Sequence, residues 1–274
     1  MIINGREIAQ EIQQELIEKV KKSKRFNLCK FSLHIFVVGE NPVVEKFIKY
    51  KKIFANTISV EFIEHRFDDI SEVDLITQIK QVTKMFQGTP GTFGMVVQLP
   101  LPGHIDTQRV LDSVPSELDV DGLATESDYL APVAGAVKEI LAHEDIVVEG
   151  KRALVIGKGK LVGEPVAKLL IEMGAVVAIA DKKMSKSELL GLTRTSDIIV
   201  SGAGVPNLIT KDMIKEGSAL LDAGTSTQEN SVVGDIALDC EEVARHFSRT
   251  PGGIGPITVA VLFKNLVFRN EASE

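Results

Sequence analysis

The sequence predicts an α/β fold in two lobes. Short apolar runs alternate with stretches of helical periodicity on both sides of a turn at Asp119-Val120-Asp121-Gly122, the pattern of strand–helix–strand units that build parallel sheets. The chain has 274 residues, long for one core and comfortable for two. One apolar run, Ala153-Leu154-Val155-Ile156, leads straight into a glycine-rich turn and a helix, the opening of a Rossmann-like unit.

The elements of the first lobe follow in order. Ile8, Ile12, Leu16 and Val20, with Ala9 and Ile17 beside them, make one stripe of a helix that begins at Gly5. The basic cluster from Lys19 to Arg25 closes that helix and reads as a solvated end, where positive charge complements the helix dipole. Residues 31–38 are a strand, Gly39-Glu40-Asn41-Pro42 is a turn, and Pro42 opens a helix to about Asn56. Residues 60–67 form a second strand. Ser71 caps a helix over 71–86, with Asp74 three residues on, close to a capping box. A loop at 87–91 precedes a third strand, 93–97, which ends at Gln98-Leu99-Pro100-Leu101-Pro102-Gly103. A short helix over 107–114 leads to the turn at 119–122.

In the second lobe, a helix over 133–142 precedes the strand at 153–156. Val166, Leu169, Leu170 and Met173 give a helix after the glycine turn, and 175–180 is the next strand. Residues 197–201 and 219–222 are further strands, with a short helix at 211–216 between them and a short strand and turn at 232–235 after them. The run Thr250-Pro251-Gly252-Gly253-Ile254-Gly255-Pro256 precedes a final helix over 257–267.

Composition narrows the class. Apolar residues make up 44% and charged residues 25%, ordinary for a soluble protein. No apolar run approaches a membrane span, and Met1-Ile2-Ile3-Asn4-Gly5-Arg6 lacks the basic start and apolar core of a signal peptide. Cys29 and Cys240 are isolated, which suits buried reduced thiols and a cytoplasmic protein. No metal site is assigned. A net charge of −7 argues against nucleic acid as a main partner.

The glycine turn carries the first functional expectation. In Gly157-Lys158-Gly159-Lys160-Leu161-Val162-Gly163-Glu164-Pro165, Gly157 allows a tight turn and Gly159 lets the backbone approach a pyrophosphate. The helix that follows offers N–H groups and a positive dipole end to the anion. Val162 stands where the usual third glycine belongs, and Gly163 comes one later. Asp181 ends the next strand at the spacing of an acid that bonds a ribose 2′-OH. Gly202, Gly204 and Thr225, in loops after two further strands, complete the candidate cofactor set.

Several segments together are specific. They are Ile3-Asn4-Gly5-Arg6-Glu7-Ile8-Ala9, Val38-Gly39-Glu40-Asn41-Pro42, Val97-Gln98-Leu99-Pro100-Leu101-Pro102, Asp119-Val120-Asp121-Gly122, the glycine turn, Val233-Gly234-Asp235 and the 250–256 run. In these the chain resembles the bifunctional methylenetetrahydrofolate dehydrogenase/cyclohydrolase family over nearly its whole length. The resemblance implies an N-terminal folate lobe of residues 1–122 plus 256–274 and a nucleotide lobe of 123–255, with a folate cleft between them. It implies a last helix packed back on the first lobe, and homodimers. The implied activity is hydride transfer from 5,10-methylenetetrahydrofolate to NADP, with NAD as the alternative, then hydration of the methenyl product.

By the same resemblance, Lys51 falls on the lysine credited with acid–base work, Gln98 on the glutamine that bonds it, and Asp121 on the acid that holds the pterin. Pro100, Gly252, Gly253 and Pro256, in the matching segments, fall to the substrate. Two neighbours depart from the family: Phe47 replaces a tyrosine one turn before Lys51, and Val44 replaces a small polar residue. Phe47 keeps a ring to stack on a pterin and loses the hydroxyl. The usual Gly-Arg-Ser is Gly157-Lys158-Gly159 here, and a His-Ser pair is Asp181-Lys182. An acid at Asp181 repels a 2′-phosphate, whereas Lys158, Lys182 and Lys183 attract one. On residues alone, an enzyme with one activity and a non-catalytic folate- or nucleotide-binding protein stay open as alternatives.

Overall fold

The protein is described from a computed structural model covering residues 1–25, 30–86, 92–228 and 231–268. It divides into two compact units, Met1–Gln10 with Pro132–Thr258, and Glu11–Ala131 with the chain from Val259 onward.

In chain order, β1 (Ile2–Ile3) and α1 (Gly5–Arg25) precede β2 (Phe31–Val38), α2 (Pro42–Thr57), β3 (Glu61–Phe67), α3 (Glu72–Phe86) and β4 (Thr92–Val97). The short α4 (Thr107–Leu111) and a 3-10 turn at Ser116–Leu118 come next. Then follow α5 (Pro132–His143), β5 (Arg152–Ile156), α6 (Gly163–Glu172), β6 (Val176–Ala180), α7 (Lys186–Thr193), β7 (Ile198–Ser201) and β8 (Ala219–Asp222). A hairpin of β9 (Ser226–Gln228) and β10 (Ser231–Val233), then β11 (His246–Ser248) and α8 (Ile254–Val267), finish the described chain.

The unit beginning at Glu11 holds a parallel three-stranded sheet in the order β3-β2-β4. β2 is central and buried at every position, mostly by apolar side chains, with Ser32 and His34 as its two buried polar residues. Phe36, Leu75, Ile79, Met95 and Val110 form the centre of its core. Ser71 starts α3 as expected: its hydroxyl accepts the Asp74 N–H at 3.1 Å and donates to the Asp74 carboxylate at 2.6 Å.

The other unit holds a parallel six-stranded sheet in the order β1-β11-β8-β7-β5-β6. Its core joins Leu154, Ile199, Leu220, Phe247 and Cys240. The opening residues belong here because Ile2 and Ile3 pair with Phe247 and Ser248. Cys240 is a buried free thiol, pushed up to about 12 by burial, so it is inert as a nucleophile. Cys29 and the 87–91 loop lie outside the described residues.

Three elements differ from the sequence expectation. The helix at 107–114 stops at Leu111. Residues 211–216 make only a 3-10 turn, Lys211–Met213. The last helix starts at Ile254, with Pro256 in its first turn, where a missing N–H costs nothing. The strands β1, β9 and β11 and the helix α7 were not expected. The first three are only two or three residues long, too short for a period to register. The fourth has a legible start: Ser185 and Glu188 form a full capping box.

Candidate active site

Lys51 sits on α2, two turns after Pro42 starts the helix. Val44, Ile48 and Ala55 mark the buried face of that helix, and Lys51 lies between the last two. Its stem is half-buried and its amine reaches the end of β4, where Nζ donates to Gln98 Oε1 at 3.1 Å. Gln98 is oriented from both sides. Its backbone N–H bonds the Phe36 carbonyl at 2.9 Å, and its Nε2 donates to the Leu99 carbonyl at 3.0 Å. With the amide N–H thus engaged, the oxygen faces Lys51. Burial lowers the Lys51 pKa, and the charge of Asp121 partly opposes that. A lysine held by a neutral acceptor in a dry place is suited to act as a base.

Asp121 is half-buried in the 119–122 turn, closed by the Gly122 N–H to the Asp119 carbonyl at 2.9 Å. Asp119 anchors this turn. Its buried carboxylate accepts the N–H groups of Leu123 at 2.9 Å and Ala124 at 2.8 Å. From α8, Asn265 donates to the carbonyls of Val120 at 2.9 Å and Leu130 at 3.1 Å. Sequence reasoning did not single out Asp119 or Asn265. For Asp119, the sign was an acid two residues from another with no need for a second charge.

The remaining substrate candidates divide. Phe47 is 42% exposed. Val44 is 6% exposed and packs in the helix's buried face. Pro100 is exposed. Gly252, Gly253 and Pro256 belong to the other unit, at the entrance to α8.

In that unit, β5 ends in the glycine turn and α6 starts from it. Gly157 has φ of +101°, and a side chain there meets the Gly202 carbonyl at 2.7 Å. A Cβ on Gly163 lands on the Gly157 carbonyl oxygen. The displaced third glycine is therefore the one that lets strand and helix pack closely. Val162 caps α6 without a side-chain bond, and packs where a Gly202 side chain would stand. Lys158 and Gly159 are exposed, and their N–H groups have no protein acceptor among the described residues. Open N–H groups in the turn that leads into a helix fit a pyrophosphate. β6 lies beside β5 and is followed directly by Asp181, which is exposed and accepts the Lys183 N–H at 2.8 Å. Gly204 and exposed Thr225 follow β7 and β8, and the Ser226 hydroxyl bonds the Gly204 carbonyl at 2.9 Å.

A parallel sheet with a glycine turn at the carboxyl end of one strand and an acid at the end of the next defines an enzyme of the NAD(P)-dependent, two-domain α/β class. The comparisons carry this further. Residues 3–121 match the tetrahydrofolate dehydrogenase/cyclohydrolase catalytic domain, and residues 131–274 match the NAD(P)-binding domain of the same family. The bifunctional protein FolD of Halothermothrix orenii is 34% identical over 97% of this chain and 96% of its own. The crystal structure of the FolD methylenetetrahydrofolate dehydrogenase/cyclohydrolase from Campylobacter jejuni, 29% identical, superposes with a TM-score of 0.92 over 100% of this chain and 99% of its own. The Trypanosoma brucei enzyme, solved with NADP cofactor and an inhibitor, is 28% identical with a TM-score of 0.91, over 100% and 98%. This chain belongs to the tetrahydrofolate dehydrogenase/cyclohydrolase family. No helix among the described residues is long and apolar enough to cross a membrane.

Proposed function

We propose that this chain oxidises 5,10-methylenetetrahydrofolate with NADP and hydrates the methenyl product to 10-formyltetrahydrofolate. The observation that carries the reading is the 3.1 Å bond from the buried Lys51 amine to a neutral amide oxygen. An amine whose pKa is lowered by burial takes a proton from water as the oxygen attacks the methenyl carbon. The resulting ammonium then protonates the ring nitrogen released when the carbinol opens, and the hydroxyl proton leaves to solvent. Asp121 accepts the paired N–H groups of the aminopyrimidine edge, and Phe47 stacks on the pterin. The nicotinamide, when bound, accepts the hydride of the first step. Gly157, Lys158, Gly159, Val162, Gly163, Gly202, Gly204 and Thr225 form its candidate cradle. Lys158, Lys182 and Lys183 favour the 2′-phosphate of NADP, and the exposed Asp181 carboxylate lets NAD compete. Of the expected lobes, 1–122 with 256–274 for the folate and 123–255 for the nucleotide, the opening residues go instead with the nucleotide unit, because Ile2 and Ile3 pair with Phe247 and Ser248.

Phe47 supports a second reading, an enzyme in which one step has been slowed far below the other. Assaying reduced nucleotide and methenyl absorbance separately distinguishes the two. The first reading expects both signals from wild type, with hydration lost in Lys51→Met and nucleotide affinity kept. Full hydration in Lys51→Met refutes the assigned base. The family resemblance supports a homodimer, which light scattering on the eluted protein tests. The buried free Cys240 suits a reducing cytoplasm.

A further inference from the structure

Two buried carboxylates, Asp222 and Asp235, stand at the carboxyl end of the six-stranded sheet with no cation bonded to either among the described residues. Asp235 is 0% exposed and Asp222 1% exposed. A charge buried so deeply is costly unless hydrogen bonds replace its water. Here the bonds come from loops. Asp235 Oδ2 accepts the Ser201 hydroxyl at 2.8 Å, the Ala203 N–H at 2.7 Å and the Gly204 N–H at 3.2 Å. Its Oδ1 accepts the Val205 N–H at 2.8 Å. Every donor lies at the end of β7 or in the loop just after it.

Asp222 in turn fixes Asp235. Its Oδ1 accepts the Asp235 N–H at 3.1 Å and the Gly224 N–H at 2.9 Å, and its Oδ2 accepts the Ile236 N–H at 3.1 Å. Its own carbonyl accepts the Thr250 hydroxyl at 2.9 Å. Both carboxylates fit only because a residue beside each has no side chain. A Cβ on Gly224 overlaps the Asp235 carboxylate, and one on Gly234 overlaps that of Asp222.

The loop held this way abuts the candidate nucleotide site. Gly202 backs onto Gly157 and Val162, so its position sets the width of the glycine turn. We infer that Asp235 is a positioning residue for nucleotide binding, braced by Asp222, and that it acts by holding the 202–205 loop against the glycine turn. This rests on the nucleotide role proposed above for the second unit. The geometry makes the carboxylate hard to replace. In Asp235→Asn one acceptor becomes an NH2 group. If the amide oxygen keeps the three donors at Oδ2, the NH2 faces the Val205 N–H; the flipped amide leaves three donors unpaired.

The test uses the full-length protein. NADP and NAD are titrated onto wild type, Asp235→Asn and Ser201→Ala, and hydration of methenyltetrahydrofolate, which consumes no nucleotide, is measured alongside. The expected result is a nucleotide Kd raised on the order of 10- to 100-fold in Asp235→Asn and a few-fold in Ser201→Ala, with the hydration rate of the folded fraction unchanged. A role in stability alone lowers the melting temperature and the active fraction, and leaves Kd as it was; that result overturns the inference. If Asp235→Asn does not fold, Ser201→Ala decides, and an unchanged Kd there is likewise fatal. Wild type that binds neither nucleotide overturns the cofactor assignment as well as the brace, whereas tight wild-type binding with unaltered variants overturns the brace alone.

Discussion

Replacing Gln98 by glutamate keeps the shape of the acceptor next to Lys51 and adds a charge. The two atoms are 3.1 Å apart, and at an effective dielectric of about 20 a unit pair at that distance attracts by roughly 5 kcal/mol. Much of this is offset, because the new carboxylate must itself be desolvated beside the buried amine. A raised Lys51 pKa is the expected remainder, which leaves less neutral amine near neutral pH, so hydration there falls by roughly 10-fold or more. The loss is recoverable: the rate climbs again as pH approaches the raised pKa. The assay follows methenyl absorbance across pH after subtraction of uncatalysed hydrolysis. Gln98→Ala serves as the control, since it removes orientation without adding charge and lowers the rate without shifting the profile to higher pH. A Gln98→Glu profile that coincides with wild type, or falls equally at every pH, refutes the claim that Lys51 acts as a neutral base held by an uncharged partner.

Three further outcomes are expected. Phe47→Tyr restores a hydroxyl one turn from Lys51, and where that bond is limiting the rate rises by up to about 30-fold, the worth of roughly 2 kcal/mol; steady-state assays of both steps show which one responds. Asp181→Asn removes the exposed carboxylate at the end of β6, and the ratio of NADP to NAD affinity rises by about fivefold or more, read by parallel titration. The third concerns pH and stability. His34 is pushed down to about 4 by burial, and by His65 at 3.0 Å, so the folded chain prefers it neutral. The unfolded chain protonates near 6.5, so this group's contribution is complete above that pH. As pH falls from about 6.5 to about 4 the contribution is lost, by up to roughly 3 kcal/mol. Melting temperatures at pH 7 and pH 5 therefore differ less in His34→Leu than in wild type, and an equal difference refutes the assignment.

The sequence alone determined the long elements. β2, α2 and β5 were legible because a strand covered on both faces leaves a largely apolar run and an amphipathic helix leaves a period several residues long. The glycine turn and Asp181 were legible for a related reason: both lie within one strand–helix–strand unit, so their spacing in sequence is their spacing in space. The bond between Lys51 and Gln98 was expected only from resemblance, since 47 residues separate them and no local pattern encodes the contact. Tertiary structure decided the rest. It set Val44 into the packed face of α2 while leaving Phe47 on the surface, a distinction that depends on what lies against the helix. It drew Ile2 and Ile3 into the sheet beside β11, a pairing too short to leave a period. It also buried Asp222 and Asp235 among backbone N–H groups. A carboxylate beside a glycine in a sequence looks like an exposed turn, and only the donors that surround it in three dimensions decide otherwise.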